Sequence, residues 1–395
     1  MNPWRGLGVL PRDIWILCSA TLINRMGVMV LPFLVVYLTT VLGYTAEEAG
    51  TILMCYGLAA FVTAPFSGKL SDKIGPLLVM KLSLLITGLV LFLYPLAQSR
   101  AVLVIITVLW AAISEAFRPA ALAIITDSVT VDQRKAAFAL NRLAINLGMS
   151  IGPALGGFLF LYSYELLFWV NGSTTILSGL VLVFVPLTVR HSTHEEHQKT
   201  QSGIALRDTT LLYFLAAMLP AMIIFFQHEA AMPIYMVRDL GLSTSVLGMM
   251  FSVNTVIIIL LEVPLNLAMT NVSHRTNLAL GAFLTGAGFG AMMFVSDPIG
   301  IAATVVVWTF GEMILLPSAA TYMSEIAPPE RRGEYMGLFQ MTFSLAFALS
   351  AWVGPMLLDQ YGGSILWSVM FLVGCVSTFM LLRVAQPAAV AGSKP

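Results

Sequence analysis

Long apolar stretches alternate with short polar connections along the whole chain. A helix needs about 20 mostly apolar residues to cross a bilayer, and these stretches reach that length. They predict twelve membrane spans, at residues 14–41, 46–68, 76–97, 101–127, 135–161, 165–188, 210–237, 243–268, 275–296, 300–326, 333–358 and 363–383. The pattern therefore predicts an all-α membrane protein, because a spanning helix satisfies its own backbone hydrogen bonds.

One connection, residues 189–209, is longer and more polar than the others. It divides the spans into two groups of six, and it predicts two six-helix bundles, at residues 1–188 and 210–395, joined by a cytoplasmic linker. Histidines recur every three residues within it, starting at His191. A metal site has such spacing, but a solvated linker explains so polar a segment better, and we expect no metal.

The two groups of spans repeat one another in sequence. Residues 119–134 resemble residues 317–332 at a constant offset of 198, and Gly43 matches Gly241 at the same offset. Two halves in the same orientation are parallel repeats about an axis along the membrane normal. This arrangement predicts a cavity between the halves, near the middle of the membrane.

The composition agrees with a membrane protein. Only 10% of the residues are charged and 58% are hydrophobic, whereas a soluble domain carries about 25% charged residues. Lys and Arg number 20, as do Asp and Glu, so the bulk charge indicates no nucleic-acid partner. Cys18, Cys55 and Cys375 stand apart in apolar stretches, which is typical of small buried residues.

The basic residues predict an orientation. With the N-terminus inside, nearly all Lys and Arg residues near span ends are cytoplasmic, and only Arg100 and Arg238 face outward. Cytoplasmic loops of membrane proteins carry an excess of positive charge. We therefore expect a multi-pass protein with both termini in the cytoplasm, and the short loops favour a bacterial inner membrane.

Four carboxylates fall inside predicted spans: Glu115, Glu229, Glu262 and Glu312. A charged side chain at mid-bilayer costs at least about 2.5–3.5 kcal/mol, so such residues are functional candidates. We take Glu115, Glu229 and Glu312 as candidates for proton coupling. Glu262 ranks last, because it lies near a span end where its side chain can reach the interface.

Three cations, Arg25, Arg118 and Arg142, also lie inside spans. Glu115 and Arg118 are three residues apart, so they share a helix face and can pair. Such a pair is either a proton-sensitive switch or a fixed ion pair facing protein, and the sequence leaves both open. If the first and seventh spans line the cavity, Arg25 faces Glu229 across the repeat axis.

Substrate contacts are expected from polar groups of the same spans. Asn24 and Asn146 are amides inside spans, and hydrogen bonding between helices is the favoured role for each. The candidate substrate-binding residues are Arg25, Arg118, Asn24, Asn146, Glu229 and Glu312.

A glycine-rich stretch lies within the fifth span. Gly148, Gly152 and Gly156 are four residues apart, so they share one helix face that another backbone can approach closely. Pro153 removes a backbone donor and predicts a bend, and Gly157 adds a further small residue. The stretch is either a seam that seals and parts or a permanently close-packed helix pair, and both remain open.

Residues 68–76 are predicted to form a cytoplasmic loop between the second and third spans. Gly68 and Gly75 permit tight turns, and Asp72 can meet a helix N-terminus. The composition of this loop fits either a contact that forms part of a gate or a generic polar turn.

Two of these stretches carry a resemblance to a known family. Residues 68–76 fit the loop motif G-x-L-x-D-x-x-G of the major facilitator superfamily, and residues 148–157 fit the G-x-x-x-G-P-x-x-G-G motif of its antiporters. Over nearly its whole length, the chain resembles the twelve-span drug:proton antiporters of that superfamily. The resemblance implies two pseudo-symmetric six-helix bundles.

The resemblance also implies gating residues. Asp72 would take part in charge contacts that hold the outward-facing state. The candidates for the accompanying cytoplasmic charge network are Asp127, Arg134, Glu325 and Arg332. The chain departs from the family at Thr107, where the antiporters usually carry an Arg linked to proton transfer, and at Arg25, where many drug exporters carry an acid. Arg25 favours a substrate with an anionic or zwitterionic group.

The expected function is secondary active export of a small amphipathic molecule in exchange for protons, by alternating access. The alternative is a proton-coupled symporter or uniporter that imports an anionic or zwitterionic metabolite. No spacing resembles the nucleophile elbow, metal site or phosphate loop of an enzyme, so we expect no catalysis and no cofactor. The expected partners are the substrate, protons and the lipid bilayer, and we expect a monomer.

Overall fold

The computed structural model describes residues 7–97, 99–185, 187, 207–328 and 331–385. This part of the chain is helical and contains no β-strand. The α-helices are α1 (Arg12–Met26), α2 (Val30–Val36), α3 (Ala46–Ile74), α4 (Pro76–Leu93), α5 (Arg100–Ser114), α6 (Phe117–Ser128), α7 (Val131–Tyr162), α8 (Glu165–Phe184), α9 (Thr209–Phe225), α10 (Ala231–Ile234), α11 (Thr244–Ala268), α12 (His274–Ala291), α13 (Pro298–Ile326) and α14 (Arg332–Leu381).

Ten helical segments of the described residues are long and apolar enough to cross a membrane. They are Arg12–Val41, Pro76–Leu96, Arg100–Ser128, Ala136–Tyr162, Glu165–Phe184, Thr209–Asp239, Thr244–Ala268, His274–Phe294, Pro298–Ile326 and Gly333–Leu381. Their ends lie within a few residues of the predicted span ends, so the chain is a multi-pass helical membrane protein. The last segment, of 49 residues, is interrupted at Gly362 (φ 77°, ψ 171°).

Helix α3 corrects the loop predicted at residues 68–76. The helix continues to Ile74, and Gly75 alone (φ 88°) separates it from α4, which begins at Pro76. Glycine adopts a positive φ without steric cost, and proline has no N–H to leave unpaired at the first helical position. A one-residue turn therefore suffices, and most of the predicted loop is helix.

The first span is broken between α1 and α2, near Gly27. The backbone N–H groups of Met29 and Val30 donate to Oδ1 of Asn171 on α8, at 3.3 and 3.2 Å. A break inside a membrane leaves helix-end donors that no bulk water can satisfy. Asn171 satisfies them, so one buried amide supports the break.

The repeat seen in the sequence is present in the backbone. π-helical turns occur at Tyr37–Val41 and Tyr235–Asp239, which are 198 residues apart. Gly43 (φ 72°) and Gly241 (φ 66°) follow these turns at the same offset. Both glycines adopt the left-handed conformation that other residues rarely adopt.

The chain forms two compact units. Unit 1 comprises the described residues up to 187 with Gln227–Ile259 and Ala348–Gln360, and unit 2 comprises the other described residues. In unit 1, Leu17, Leu84 and Ile124 belong to one buried apolar core, and in unit 2 the ring of Phe214 lies 4.6 Å from that of Tyr322. The predicted division into bundles at the linker stays a prediction, because residues 188–206 lie outside the described part.

Candidate functional site

A cavity of about 220 Å³ lies within unit 1, and helices α1–α6 and α8 form its walls. Three charged residues line it: Arg25, Glu115 and Arg118. Tyr56 also lines it, ten residues after the start of α3, which places it about 15 Å along that helix at 1.5 Å per residue. Three charges that the sequence placed inside two spans, Arg25 in the first and Glu115 and Arg118 in the fourth, therefore line one cavity among the membrane-spanning helices.

The backbone around the cavity explains how these charges are arranged. Arg25 lies in the last turn of α1, and Glu115 lies in the interruption between α5 and α6. Of the ion pairs within 4.0 Å in the described chain, none includes Arg25, Glu115 or Arg118. The close pair predicted between Glu115 and Arg118 is therefore not formed, because the helix is interrupted where their spacing assumes continuity.

Arg25 is the cation whose surroundings are best defined. Its Nε is buried and has no hydrogen-bond partner among the described residues, and its guanidinium carbon lies 5.9 Å from the ring centroid of Phe117. Arg118 repels it, whereas Glu115 and Glu229 attract it. With two guanidinium groups and one carboxylate on its walls, the cavity has an excess of positive charge.

Aromatic and hydroxyl groups complete the cavity, and the sequence analysis missed them. The hydroxyl of Tyr56 lies 3.2 Å from Oγ of Ser114, and its ring meets Trp110 edge-on, with 5.0 Å between centroids. Aromatic residues are common throughout membrane helices, so no spacing distinguishes those of a cavity from those of a core. Only the packing of α3 against α5 reveals them.

Asn24 lines the cavity and also joins two helices. Its Oδ1 accepts from the hydroxyl of Thr175 on α8 at 3.3 Å, and that hydroxyl accepts from the amide of Asn171 at 3.2 Å. The structure thus provides the interhelical hydrogen bond that the sequence favoured for Asn24. Asn146 is half-buried on α7 and is not among the residues that line the cavity.

The remaining candidate acids lie outside the cavity lining. Glu229 is half-buried in the turn before α10, with its Oε1 3.7 Å from Nε2 of His228. Its charge attracts the guanidinium group of Arg25, and the expectation that the two residues face each other across the repeat axis stays a prediction. Glu312 on α13 and Glu262 on α11 are half-buried residues of unit 2. A role in proton coupling stays a prediction for each acid.

The glycine face of α7 packs on the first span. A Cβ added at Gly152 would lie 2.8 Å from the carbonyl oxygen of Val28, and one added at Gly156 would lie 2.7 Å from Cβ of Met29. A Cβ at Gly148 would meet the backbone of Arg25 at 2.9 Å. The close approach predicted from the glycine spacing is therefore present, and its parting during function stays a prediction.

A second close contact joins α7 to α11 within unit 1. The hydroxyl of Thr244 donates to the carbonyl oxygen of Gly157 at 3.0 Å. A Cβ added at Gly248 would lie 3.2 Å from the carbonyl carbon of Pro153. Helix α7 continues through Pro153, so its glycine-rich segment is packed against two helices at once.

The predicted cytoplasmic gate is described only in part. Gly68 lies within α3, whereas the side chain of Asp72 lies outside the described part of the structure. Asp127 is half-buried on α6, and Arg134 is exposed on α7. Their gating roles stay predictions, and the linker histidines lie outside the described residues.

One family matches the sequence almost from end to end. The sequence model of the Major Facilitator Superfamily matches residues 17–235 and 228–393. The chain therefore belongs to the major facilitator superfamily.

Two bacterial proteins show the similarity over most of the chain. An uncharacterised MFS-type transporter of Bacillus subtilis (strain 168), YqjV, is 26% identical over 379 residues, which cover 92% of this chain and 89% of YqjV. The quinolone resistance protein NorA of Staphylococcus aureus (strain COL) is 22% identical over 350 residues, which cover 88% of this chain and 89% of NorA.

Solved structures of transporters share the fold. A mutant of the nucleoside transporter NupG superposes with a TM-score of 0.81 at 11% identity and covers 94% of this chain and 100% of that chain. The peptide transporter POT in complex with sulfate gives a TM-score of 0.77 at 15% identity and covers 98% and 100%. At these identities the likeness concerns the fold alone, and the protein is a transporter of the major facilitator fold.

Proposed function

We propose that this protein exports a small amphipathic molecule across the membrane in exchange for protons, by alternating access. The observation that carries the proposal is the meeting of Glu115 with Arg25 and Arg118 in one cavity inside the spans. A carboxylate there changes the charge of the cavity when it takes up or releases a proton. Substrate affinity then depends on protonation, and this dependence is what couples the two fluxes.

The sequence relatives support export and a drug-like substrate. Residues 148–157 fit the antiporter motif, and the relative NorA is a quinolone resistance protein. In this proposal Glu115 is the main proton carrier. Glu229 acts through its attraction to Arg25, and Glu312 is the acid of the second half.

The mechanism requires that helices part and close again. We assign the seam to Gly148, Gly152, Pro153, Gly156 and Gly157, and the cytoplasmic latch to Gly68, Asp72, Gly75, Asp127 and Arg134. Backbone contacts without intervening side chains suit a seam, because two bare faces can separate without rotating large side chains. Small displacements there can shift the balance between two packed states.

The topology proposed here has twelve spans. Helix α3 supplies one span beyond the ten segments, and the interruption at Gly362 divides the 49-residue segment into two. With both termini in the cytoplasm, the excess of Lys and Arg lies on the inner side. We place the protein in the bacterial inner membrane, as a monomer.

The proposal is tested by the direction of transport. Inside-out vesicles with an acidified lumen are given a panel of amphipathic drugs and anionic metabolites while the lumenal pH is recorded. Exchange predicts that the substrate accumulates in the lumen and that the lumenal pH rises with it. Accumulation that is the same after an ionophore has collapsed the pH gradient would contradict proton exchange.

A second candidate is supported by the two arginines of the cavity. A proton-coupled symporter or uniporter that imports an anionic or zwitterionic metabolite would use Arg25 and Arg118 to hold the anion. Right-side-out vesicles in acidic medium distinguish the two functions. Symport predicts substrate uptake driven by the inward proton gradient, whereas exchange predicts that this gradient drives substrate out.

A further inference from the structure

The charges of the cavity are unbalanced, and their arrangement restricts what can bind. Two guanidinium groups and one carboxylate line the cavity of about 220 Å³. None of these three groups forms an ion pair within 4.0 Å with another described residue. The buried Nε of Arg25 lacks a hydrogen-bond partner there. A buried guanidinium is costly unless it is paired, so an anionic group on the ligand would stabilise it.

The uncharged part of the lining combines hydroxyl and amide groups with apolar and aromatic side chains. Trp110 and Phe117 contribute rings, and Leu84 and Leu91 contribute aliphatic surface. A cavity of about 220 Å³ is smaller than the roughly 300–1,000 Å³ of drug-sized ligand pockets. The space therefore suits one ring with short substituents.

We propose that this cavity binds a small zwitterion with an aromatic body, with its carboxylate on Arg25 and Arg118 and its ammonium group at Glu115. This inference rests on the proposed transport function and names its substrate class. A lone anion would compete with Glu115 for the two arginines that attract it, and a lone cation would be repelled by both arginines. A ligand with both charges offers a group of opposite charge to each of the three side chains.

The same arrangement explains why a proton and the substrate would exclude one another. A proton on Glu115 removes the partner of the ammonium group and leaves the partners of the carboxylate in place. The charged and titratable groups that act on Glu115 are Arg118, Arg25 and Tyr56. Glu229 adds negative charge near Arg25 and Tyr56. Competition at Glu115 is what exchange of substrate for protons requires.

The test compares three molecules of one shape in calorimetric binding to the purified full-length protein. They are 4-(aminomethyl)benzoate, which is a zwitterion, 4-methylbenzoate, which lacks the ammonium group, and 4-methylbenzylamine, which lacks the carboxylate. We expect the zwitterion to bind about tenfold more tightly than 4-methylbenzoate, and the amine to bind about a hundredfold more weakly than the zwitterion.

Two conservative variants assign the charges. Arg118→Gln should weaken the binding of 4-(aminomethyl)benzoate and of 4-methylbenzoate about tenfold each. Glu115→Gln should abolish the preference for the zwitterion over 4-methylbenzoate without weakening the latter. Arg100→Gln, outside the cavity lining, is the matched control and should leave all three affinities unchanged.

Three results would overturn the inference: an amine that binds as tightly as the carboxylates, affinities unchanged in Arg118→Gln, or no binding of any of the three at millimolar concentration. These outcomes are independent of flux. If the zwitterion binds in the expected order and vesicles show no proton exchange, the inference stands and the proposed function fails. If exchange is found only for substrates without a carboxylate, the proposed function stands and the inference fails.

Discussion

Nη1 of Arg238 donates to Oδ1 of Asp359 at 2.6 Å, and the other carboxylate oxygen of Asp359 accepts from the backbone N–H of Glu47 at 2.8 Å. Arg238 lies in the π-helical turn Tyr235–Asp239, Asp359 lies three residues before the interruption of α14 at Gly362, and Glu47 lies in the first turn of α3. One carboxylate therefore joins the ends of three helices within unit 1. The proposed alternating access predicts that this junction of helix ends helps to hold one opening shut.

Arg238→Gln should loosen this junction. The pair is partly exposed, with side chains 32% and 21% accessible, so we expect it to contribute about 0.5–1 kcal/mol. A cysteine placed at Ser245, beside Gly157, should then react several times faster with a membrane-impermeant maleimide. Arg100→Gln is the control, because the Arg100–Glu48 pair is more exposed, at 49% and 36%. An unchanged labelling rate in Arg238→Gln would exclude a role for this junction in closure.

Gly152→Ala should destabilise the contact between α7 and the first span. Its new Cβ would lie 2.8 Å from a carbonyl oxygen, which is too close for a side chain. We expect a loss of about 1–3 kcal/mol, as for other overpacked sites, visible as a lower melting temperature in detergent. Gly337→Ala on α14 is the matched control: no atom lies within 4 Å of its Cβ, so the higher helix propensity of alanine should leave stability unchanged or raised. Equal melting temperatures for the two variants would contradict the seam geometry.

Asn171→Leu should destabilise the protein at the break in the first span. Two backbone donors, those of Met29 and Val30, would lose their acceptor in a buried place. Each unsatisfied buried group costs about 1–3 kcal/mol, so we expect a large fall in melting temperature. Asn146→Leu, a half-buried amide outside the cavity lining, is the control and should have a smaller effect. A stable Asn171→Leu variant would show that the amide does not support the break.

Asp208 should make the free energy of unfolding depend on pH in acidic solution. Burial tends to raise its pKa, but hydrogen bonds from the Tyr335 hydroxyl and from the N–H groups of Leu211 and Thr210 outweigh this effect, and the pKa lies below its ordinary value of 3.8. Because the folded pKa is the lower one, the stabilisation is present above the unfolded pKa and is lost as the pH falls through the folded pKa.

The variant Asp208→Asn isolates this effect. It keeps a helix-capping side chain but loses the charge, so we expect it to be about 1 kcal/mol less stable than the wild type at pH 6. That difference should shrink steadily as the pH falls below about 3.8. Melting curves at several pH values measure it. A difference that is constant from pH 6 to pH 3 would contradict the assignment.

The sequence predicts most of the fold and part of the site, for physical reasons that can be given residue by residue. Apolar runs locate the spans because a bilayer demands length and hydrophobicity. Arg25 and Glu115 stand out because charge in an apolar run is costly. The continuation of α3 to Ile74 was missed because a loop motif describes residue types and not backbone angles.

The arrangement inside the cavity could not be predicted. The pairing of Glu115 with Arg118 assumes a continuous helix, whereas Pro119 has no N–H for the carbonyl oxygen of Glu115 and the helix is interrupted between α5 and α6. Tyr56 and Trp110 lie on different helices, and only their packing places both at the cavity. The sequence does not distinguish Asn171 from other amides in the spans, because its two backbone donors, Met29 and Val30, lie on another helix.

The central claim is that protonation of the Glu115 carboxylate couples substrate transport to proton transport. The variant Glu115→Gln in proteoliposomes tests it most directly. Exchange is measured as substrate flux together with the internal pH, and Glu47→Gln, which alters an exposed acid at a helix end, is the control. We expect the Glu115 variant to fold and to lose at least about tenfold in exchange rate, about 1.4 kcal/mol, with no remaining dependence on pH. Proton-coupled flux at the wild-type rate in Glu115→Gln would contradict the claim.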